Sequence, residues 1–200
     1  MKTPQRLLPP RVVAVSVIAN VVIATGLAQT PSVWNNPLGG DITTPANWTG
    51  PVVSATQAGA FTLNNTYNVN VLNDLTVLDL GVNAGNVSLV VAAGKTLGFN
   101  GTLQVASGAV GILSGPGAIG PVRLSISGTL HADTVVNLAT GTSTANGGLV
   151  IGKSSAGTLN VANGAVLNAT AGILVGDGGT RGTINQTGGT VRADAGITFG

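Results

Sequence analysis

A short glycine-bounded phrase recurs at a fixed distance in the last third of this chain. It reads GLVIG at 148–152, GILVG at 172–176 and GITFG at 196–200, 24 residues apart each time. Between these anchors, GTLNVANGAV (157–166) matches GTINQTGGTV (182–191) at an offset of 25. A one-residue insertion before Gly182 and a compensating deletion before Gly196 reconcile the two offsets. The phrase occurs earlier as GTLQVASGAV (101–110) and, in part, as GTLHA (128–132). A period of 20–50 residues is the signature of a repeat architecture, in which each unit buries its apolar face only against its neighbours.

The texture inside the repeat is strand and turn. YNVNV (67–71), NVSLVV (86–91), GTLQV (101–105) and RLSIS (123–127) alternate apolar and polar residues, and Gly, Asn and Ser separate them every six to ten residues. No sustained 3.6-residue apolar period follows residue 30. Three short strands per lap of about 24 residues give an all-β, parallel β-solenoid with laps about 4.8 Å apart. Residues 61–200 would make about six laps, or about 29 Å of solenoid. Alternation places Leu159, Val161, Ile173, Val175 and Ile184 in the interior. Glycine and asparagine are expected at corners, where positive φ is often needed, with Asn160 and Asn185 matched lap to lap. A narrow interior fits the 3% aromatic content. Without cysteine, packing and backbone hydrogen bonds alone must hold the fold.

The two ends of the sequence differ from this pattern. Lys2, Arg6 and Arg11 precede the apolar run VVAVSVIANVVIATGL (12–27), and Gly26 and Ala28 suit a cleavage site after Ala28. Residues 1–28 therefore read as a secretory signal peptide, with an uncleaved membrane anchor as the alternative. The absence of cysteine after the run excludes a lipid-anchored lipoprotein. Cleavage would leave Lys95, Arg123, Lys153, Arg181 and Arg192 against six aspartates, a formal charge of −1. The charge of +2 on the whole chain thus makes no case for nucleic acid. Residues 29–60, interrupted by Pro31, Pro37, Pro45 and Pro51, read as an irregular N-terminal cap segment before the solenoid of 61–200.

The segments WNNPLGGDITTPANWTG (34–50), TYNVNVLNDLTVLDLGVNAGNVSLVVAAGKTLGFNGTLQVASGAVG (66–111) and QTGGTV (186–191) carry a resemblance. They look like the start of secreted bacterial repeat proteins, among them the autotransporter-associated β-strand repeat proteins and exported proteins with a PEP-CTERM sorting signal. The resemblance implies a right-handed parallel β-helix, secreted or at the cell surface, acting as a stalk, passenger or adhesin. Surface glycans or a host or matrix component would be its partners. Such proteins usually end in an outer-membrane barrel or sorting anchor, whereas this sequence stops in mid-pattern. The expectation is a fragment of a longer solenoid, with self-association through an open strand edge if no lap follows.

Candidate chemistry is sparse. GDGGTRGT (176–183) lacks the Gly-Lys-Ser/Thr of a phosphate loop and the tandem Gly-Gly-x-Gly-x-Asp of a calcium repeat, and it matches GKSSAGT (152–158) one lap earlier. It therefore reads as a corner, with Asp177 over Lys153 in an exposed ion pair. Parallel β-helices also include polysaccharide lyases and glycosidases, so an enzyme is the alternative reading. Its best cluster is Asp177, Arg181, Arg192 and Asp194, in one lap. His131, the only histidine, has Asp133 two residues away but no nucleophile motif and reads as a surface residue. One histidine without cysteine or glutamate argues against a metal site, and nothing implies a cofactor. Trp34 and Trp48 are candidates for stacking on sugar rings, against a role in a cap that closes the solenoid. Asn47, Asn64, Asn86, Asn168 and Asn185 head glycosylation triplets that bacterial export would leave unused. Thr158 and Thr183, with Thr187 and Thr190 nearby, suggest an ice-binding ladder, but Ala165 at the position matching Thr190 breaks it.

Overall fold

The computed structural model describes residues 30–200. The expected signal peptide, residues 1–28, lies outside them. The chain winds as a parallel β-solenoid of about seven turns. Each full turn visits three faces in the order A, B, C. The A face contains Ser32–Val33, Gly59–Phe61, Leu80–Val82, Thr102–Val105, Gly141–Ala145, Ala165–Ala169 and Thr190–Ala193. The B face is an eight-stranded sheet that includes Thr66–Val71, Asn86–Val91, Val110–Ser114, Thr129–Ala132, Gly148–Ile151, Ile173–Val175 and Ile197–Phe199. The C face contains Leu75–Val77, Thr96–Phe99, Val135–Leu138, Gly157–Val161 and Gly182–Gln186. Ala118–Ile126 runs round the edge from C to A and joins these faces into one 13-stranded sheet.

The 24-residue anchors are one rung of the B face repeated. Leu149 pairs with Ile173 and Ile173 with Ile197. Gly176 N–H donates to Ile151 O at 2.8 Å and Asp177 N–H to Gly152 O at 3.0 Å, so consecutive laps lie in direct contact. The uniform lap length does not extend through the chain. Val110 pairs with Thr129 and Thr129 with Gly148, which makes laps of 19 residues. Most of the difference lies at the B–C corner. Asp133 and Thr134 alone join Ala132 to Val135, whereas residues 152–156 join Ile151 to Gly157 and 176–181 join Val175 to Gly182.

The Gly-Thr phrase marks entry to a strand and does not mark a lap. Its copies at 157 and 182 are true lap partners on the C face. The copy at 101 opens an A-face strand, and the copy at 128 opens one on the B face. At each, a Cβ on the glycine would collide with a carbonyl oxygen of the preceding lap. The separations would be 1.9 Å from Ala132 O for Gly157, 2.2 Å from Ile151 O for Gly182 and 2.2 Å from Ala106 O for Gly128. These glycines are needed for close approach. The compensating deletion also falls earlier than expected, between Gln186 and Thr190. Thr190 pairs with Val166, and Ala165 is not its partner.

The interior is largely apolar, and the inward Ser143, 0% exposed, accepts Leu124 N–H on its hydroxyl at 3.1 Å. Leu159 and Val161 are 0% exposed and Ile173 and Val175 are buried, as alternation predicts. Ile184, in the last described turn, is only partly covered. The segment 29–60 is less separate than its prolines suggest. Ser32–Val33 and Gly40–Asp41 already pair with Gly59–Phe61 and Thr66–Val71, so the solenoid begins before residue 61. The only helical turn among the described residues is Pro45–Asn47.

Gly157→Ala should lower stability by about 1–3 kcal/mol through overpacking, read by denaturant unfolding. Gly148→Ala, whose added Cβ meets nothing closer than 3.4 Å, should stay within about 0.5 kcal/mol of the parent.

Candidate functional site

The stretch GDGGTRGT forms an extended B–C corner. Thr180 Oγ1 lies 2.5 Å from Gly152 O and 2.8 Å from Asp177 O, so its single proton is shared between the two carbonyls and closes the turn on the lap beneath. Gly178 and Gly179 have φ of 60° and 84°, and an added Cβ would meet nothing within 4 Å, so they stand clear of the prism. The expected ion pair is present. Lys153 Nζ lies 3.9 Å from Asp177 Oδ2, with both side chains over 40% exposed. Such a pair contributes about 0–1 kcal/mol.

The candidate polysaccharide cluster does not assemble. Asp177 is engaged at the B–C corner, where Arg181 is exposed just before Gly182–Gln186. Arg192 belongs to the A face, and its Nε donates to Asp194 Oδ1 at 2.7 Å. The four residues divide between two edges of the solenoid. Among the described residues no group of three or more His, Cys, Asp or Glu gathers as a metal set.

The other carboxylates hold the chain itself. Asp74 Oδ1 accepts Thr96 N–H at 2.8 Å and Asp79 Oδ1 accepts Thr102 N–H at 2.6 Å, in each case from the following lap. Lys95 Nζ adds an ion pair to Asp74 at 3.8 Å. Asp133, 3% exposed, accepts Lys153 N–H at 2.6 Å and Ser154 N–H at 3.2 Å. Asp41 Oδ1 accepts Thr43 N–H at 2.7 Å. The short-range spacing of Asp74, Asp79 and Asp133 gave no sign of this role, because their partners lie about one lap away.

His131 points outward from the B face, with Ile112 and Val150 as its lap neighbours. Asp133 lies past the end of that strand, tied to the B–C corner, and does not orient the imidazole as a catalytic partner would. Burial holds the His131 pKa below its ordinary value. Lys153 lowers it further, and Asp133 and Asp177 partly offset both.

The two tryptophans are interior residues. Trp34 is 0% and Trp48 5% exposed, with ring centroids 5.0 Å apart in an edge-to-face arrangement. Their indole N–H groups donate to Asn36 O at 2.6 Å and Ile42 O at 2.8 Å. Neither ring offers a face to a sugar. With Phe61 and Tyr67 they form an aromatic plug in the first turns. Tyr67 lies stacked 6.4 Å from Trp34, and its buried hydroxyl has no partner among the described residues.

The matched asparagines form a ladder, although in mid-strand on the C face and not at corners. Asn185 Nδ2 donates to Asn160 Oδ1 at 3.1 Å, and Asn160 Nδ2 donates to Asn137 Oδ1 at 2.7 Å. The threonine ladder is two rungs long. Thr158 and Thr183 pair, but Val135 stands on the next rung. Thr187 occupies a corner and Thr190 the A face.

The geometry defines a parallel β-solenoid with an aromatic plug and inter-lap side-chain staples. No protein-family model, curated protein or solved structure matches the chain.

Asp133→Ala should cost about 1–3 kcal/mol, because it strips the part-buried Lys153 and Ser154 N–H bonds of their charged acceptor. Asp177→Asn should cost under about 1 kcal/mol. Tyr67→Phe should be neutral or stabilising by up to about 1 kcal/mol. Burial raises the Tyr67 pKa to about 12 from 10.0, so the unfolded chain releases its proton first. Stability should therefore fall as pH rises from 10 towards 12, by about 1.4 kcal/mol per unit. Tyr67→Phe should abolish that slope in alkaline unfolding curves. Below about pH 6.5 the unfolded chain protonates its histidine more readily than the fold does, so His131→Asn should flatten the acid limb.

Proposed function

We propose that this chain is an exported, non-enzymatic β-solenoid, a stalk or passenger-type element that acts at or beyond the bacterial cell surface. One observation carries the reading: all six aspartates, the only side-chain carboxylates in the sequence, are engaged in corner bonds, inter-lap bonds or ion pairs. Glycosidic cleavage by an acid–base pair needs two carboxylates facing one groove, whereas these six each serve the chain's own N–H groups or cations. The outward residues of the A and C faces are mostly Thr, Ser, Asn and Gln, which suits an extended, weakly charged surface. Export rests on the basic start, apolar run and small-residue site of residues 1–28. Surface glycans or a matrix component are the partners of this reading.

Expression of the whole sequence in a Gram-negative host tests the reading in two measurements. N-terminal sequencing should find Gln29 as the first residue of a product outside the inner membrane, and an unprocessed cytoplasmic chain would refute export. Incubation with acidic and neutral polysaccharides should release no reducing ends or unsaturated uronate. Turnover that Arg192→Ala abolishes would replace the scaffold with the polysaccharide-active alternative.

A further inference from the structure

Three asparagines in the sequence are followed by glycine: Asn100, Asn146 and Asn163. Such a pair carries its own chemistry. The glycine nitrogen is a nucleophile for the asparagine side-chain carbonyl, and the missing Cβ lets the backbone reach the geometry that attack requires. All three pairs occupy corners, and all three asparagines are exposed. The fold nevertheless treats them differently.

Two pairs are tied at both reacting groups. Gly101 N–H donates to Leu78 O at 2.8 Å, and Asn100 Nδ2 donates to Ala55 O at 2.9 Å. Gly147 N–H donates to Ile126 O at 3.1 Å, and Asn146 Oδ1 accepts the Thr170 hydroxyl at 3.1 Å. All four partners lie on other laps, so neither pair can react until bonds between laps break. The third pair is the tip of the C–A corner between Gly157–Val161 and Ala165–Ala169. Ala165 N–H donates to Ala162 O at 3.1 Å and closes the turn around it. Neither the Asn163 carboxamide nor the Gly164 N–H has a hydrogen-bond partner among the described residues. The residue over Asn163 in the following lap is Gly188, where an added Cβ would fall 1.9 Å from Asn163 Oδ1. No side chain from that lap clamps the amide.

We propose that Asn163 is the site to which this fold directs spontaneous deamidation through a succinimide. The Gly164 nitrogen loses its proton and bonds to Asn163 Cγ. The Cγ–Nδ2 bond then breaks, and Nδ2 leaves as ammonia, taking up one proton. Water opens the ring. Attack at Cγ restores the main chain and leaves an aspartyl side chain. Attack at the backbone carbonyl carbon of residue 163 leaves an isoaspartyl link, one carbon longer in the main chain. Either product sets a carboxylate on an edge whose corners at 139–140, 162–164 and 187–189 carry no charge.

Trypsin separates the three pairs. Cuts after Lys95, Arg123, Lys153 and Arg181 place them in peptides 96–123, 124–153 and 154–181. The folded whole chain is held in mildly alkaline buffer, sampled over time, digested and read by mass spectrometry with isoaspartate-sensitive fragmentation. Conversion at Asn163 should run about tenfold faster than at Asn100 or Asn146, a ratio equal to about 1.4 kcal/mol of barrier and within what two hydrogen bonds withhold. Isoaspartyl and aspartyl products should appear together. In denaturant the three rates should converge, and Asn163→Gln should remove the fast conversion from 154–181. Equal rates in the folded chain overturn the proposal, as does faster conversion at Asn100 or Asn146. A rate ratio that survives denaturant would assign the preference to sequence and overturn it too. So would an aspartyl product alone, which marks direct hydrolysis without the ring.

Discussion

The separation between laps governs this structure. Parallel strands pair at about 4.8 Å, and every corner must clear the corner beneath it at the same spacing. There is room for a backbone, but at several strand entries there is none for a Cβ. Gly128, Gly157 and Gly182 each sit where a methyl group would fall within 2.2 Å of a carbonyl oxygen. Part of the high glycine content follows from that clearance, and corners with positive φ, as at Gly94, Gly108 and Gly178, account for more. The near absence of helix follows from the lap spacing too, because a helical turn would hold successive laps apart.

The spacing also dictates how polar groups are used. On the faces, ladder hydrogen bonds satisfy the backbone. At the corners the ladder is interrupted, and side chains of a neighbouring lap complete it. Asp74, Asp79 and Asp133 accept N–H groups from the lap that follows. Thr134 and Thr180 donate to carbonyls of the lap before, Gly117 O and Gly152 O. A sequence with 7% charged residues thus concentrates its carboxylates at the points where backbone groups would otherwise lack partners. The asparagine ladder extends the same logic across a face, with amides of three consecutive rungs bonded in one direction.

Much of this was legible in the residues. The interior positions of residues 159–175, the Lys153–Asp177 pair and the lap partnership of Asn160 with Asn185 follow from alternation and one fixed period. The unequal laps were not legible, nor was the assignment of phrases to faces. The three faces share one grammar, a glycine for clearance, then alternating strand, then turn. GTLQV, GTLNV and GTLHA look alike because entering any face poses the same steric problem. The enzyme-like grouping of Asp177, Arg181, Arg192 and Asp194 arose from proximity in sequence. In a solenoid, residues a third of a lap apart stand on different faces, while residues a whole lap apart touch. The tryptophans were ambiguous for a different reason: a buried plug and an open sugar platform both call for large aromatic rings, and only burial separates them.

The B–C corner differs from the rest of the solenoid. Two residues suffice there between Ala132 and Val135, yet six occupy it between Val175 and Gly182, with no change in the pairing of the strands on either side. The extra residues project away from the prism and leave the core undisturbed. Evolution, or an engineer, can therefore lengthen this edge lap by lap at little thermodynamic cost, since loop-closure entropy grows only slowly with length. The result is a row of independently variable loops at intervals of one strand spacing along a rigid rod, a natural register for displaying repeated epitopes.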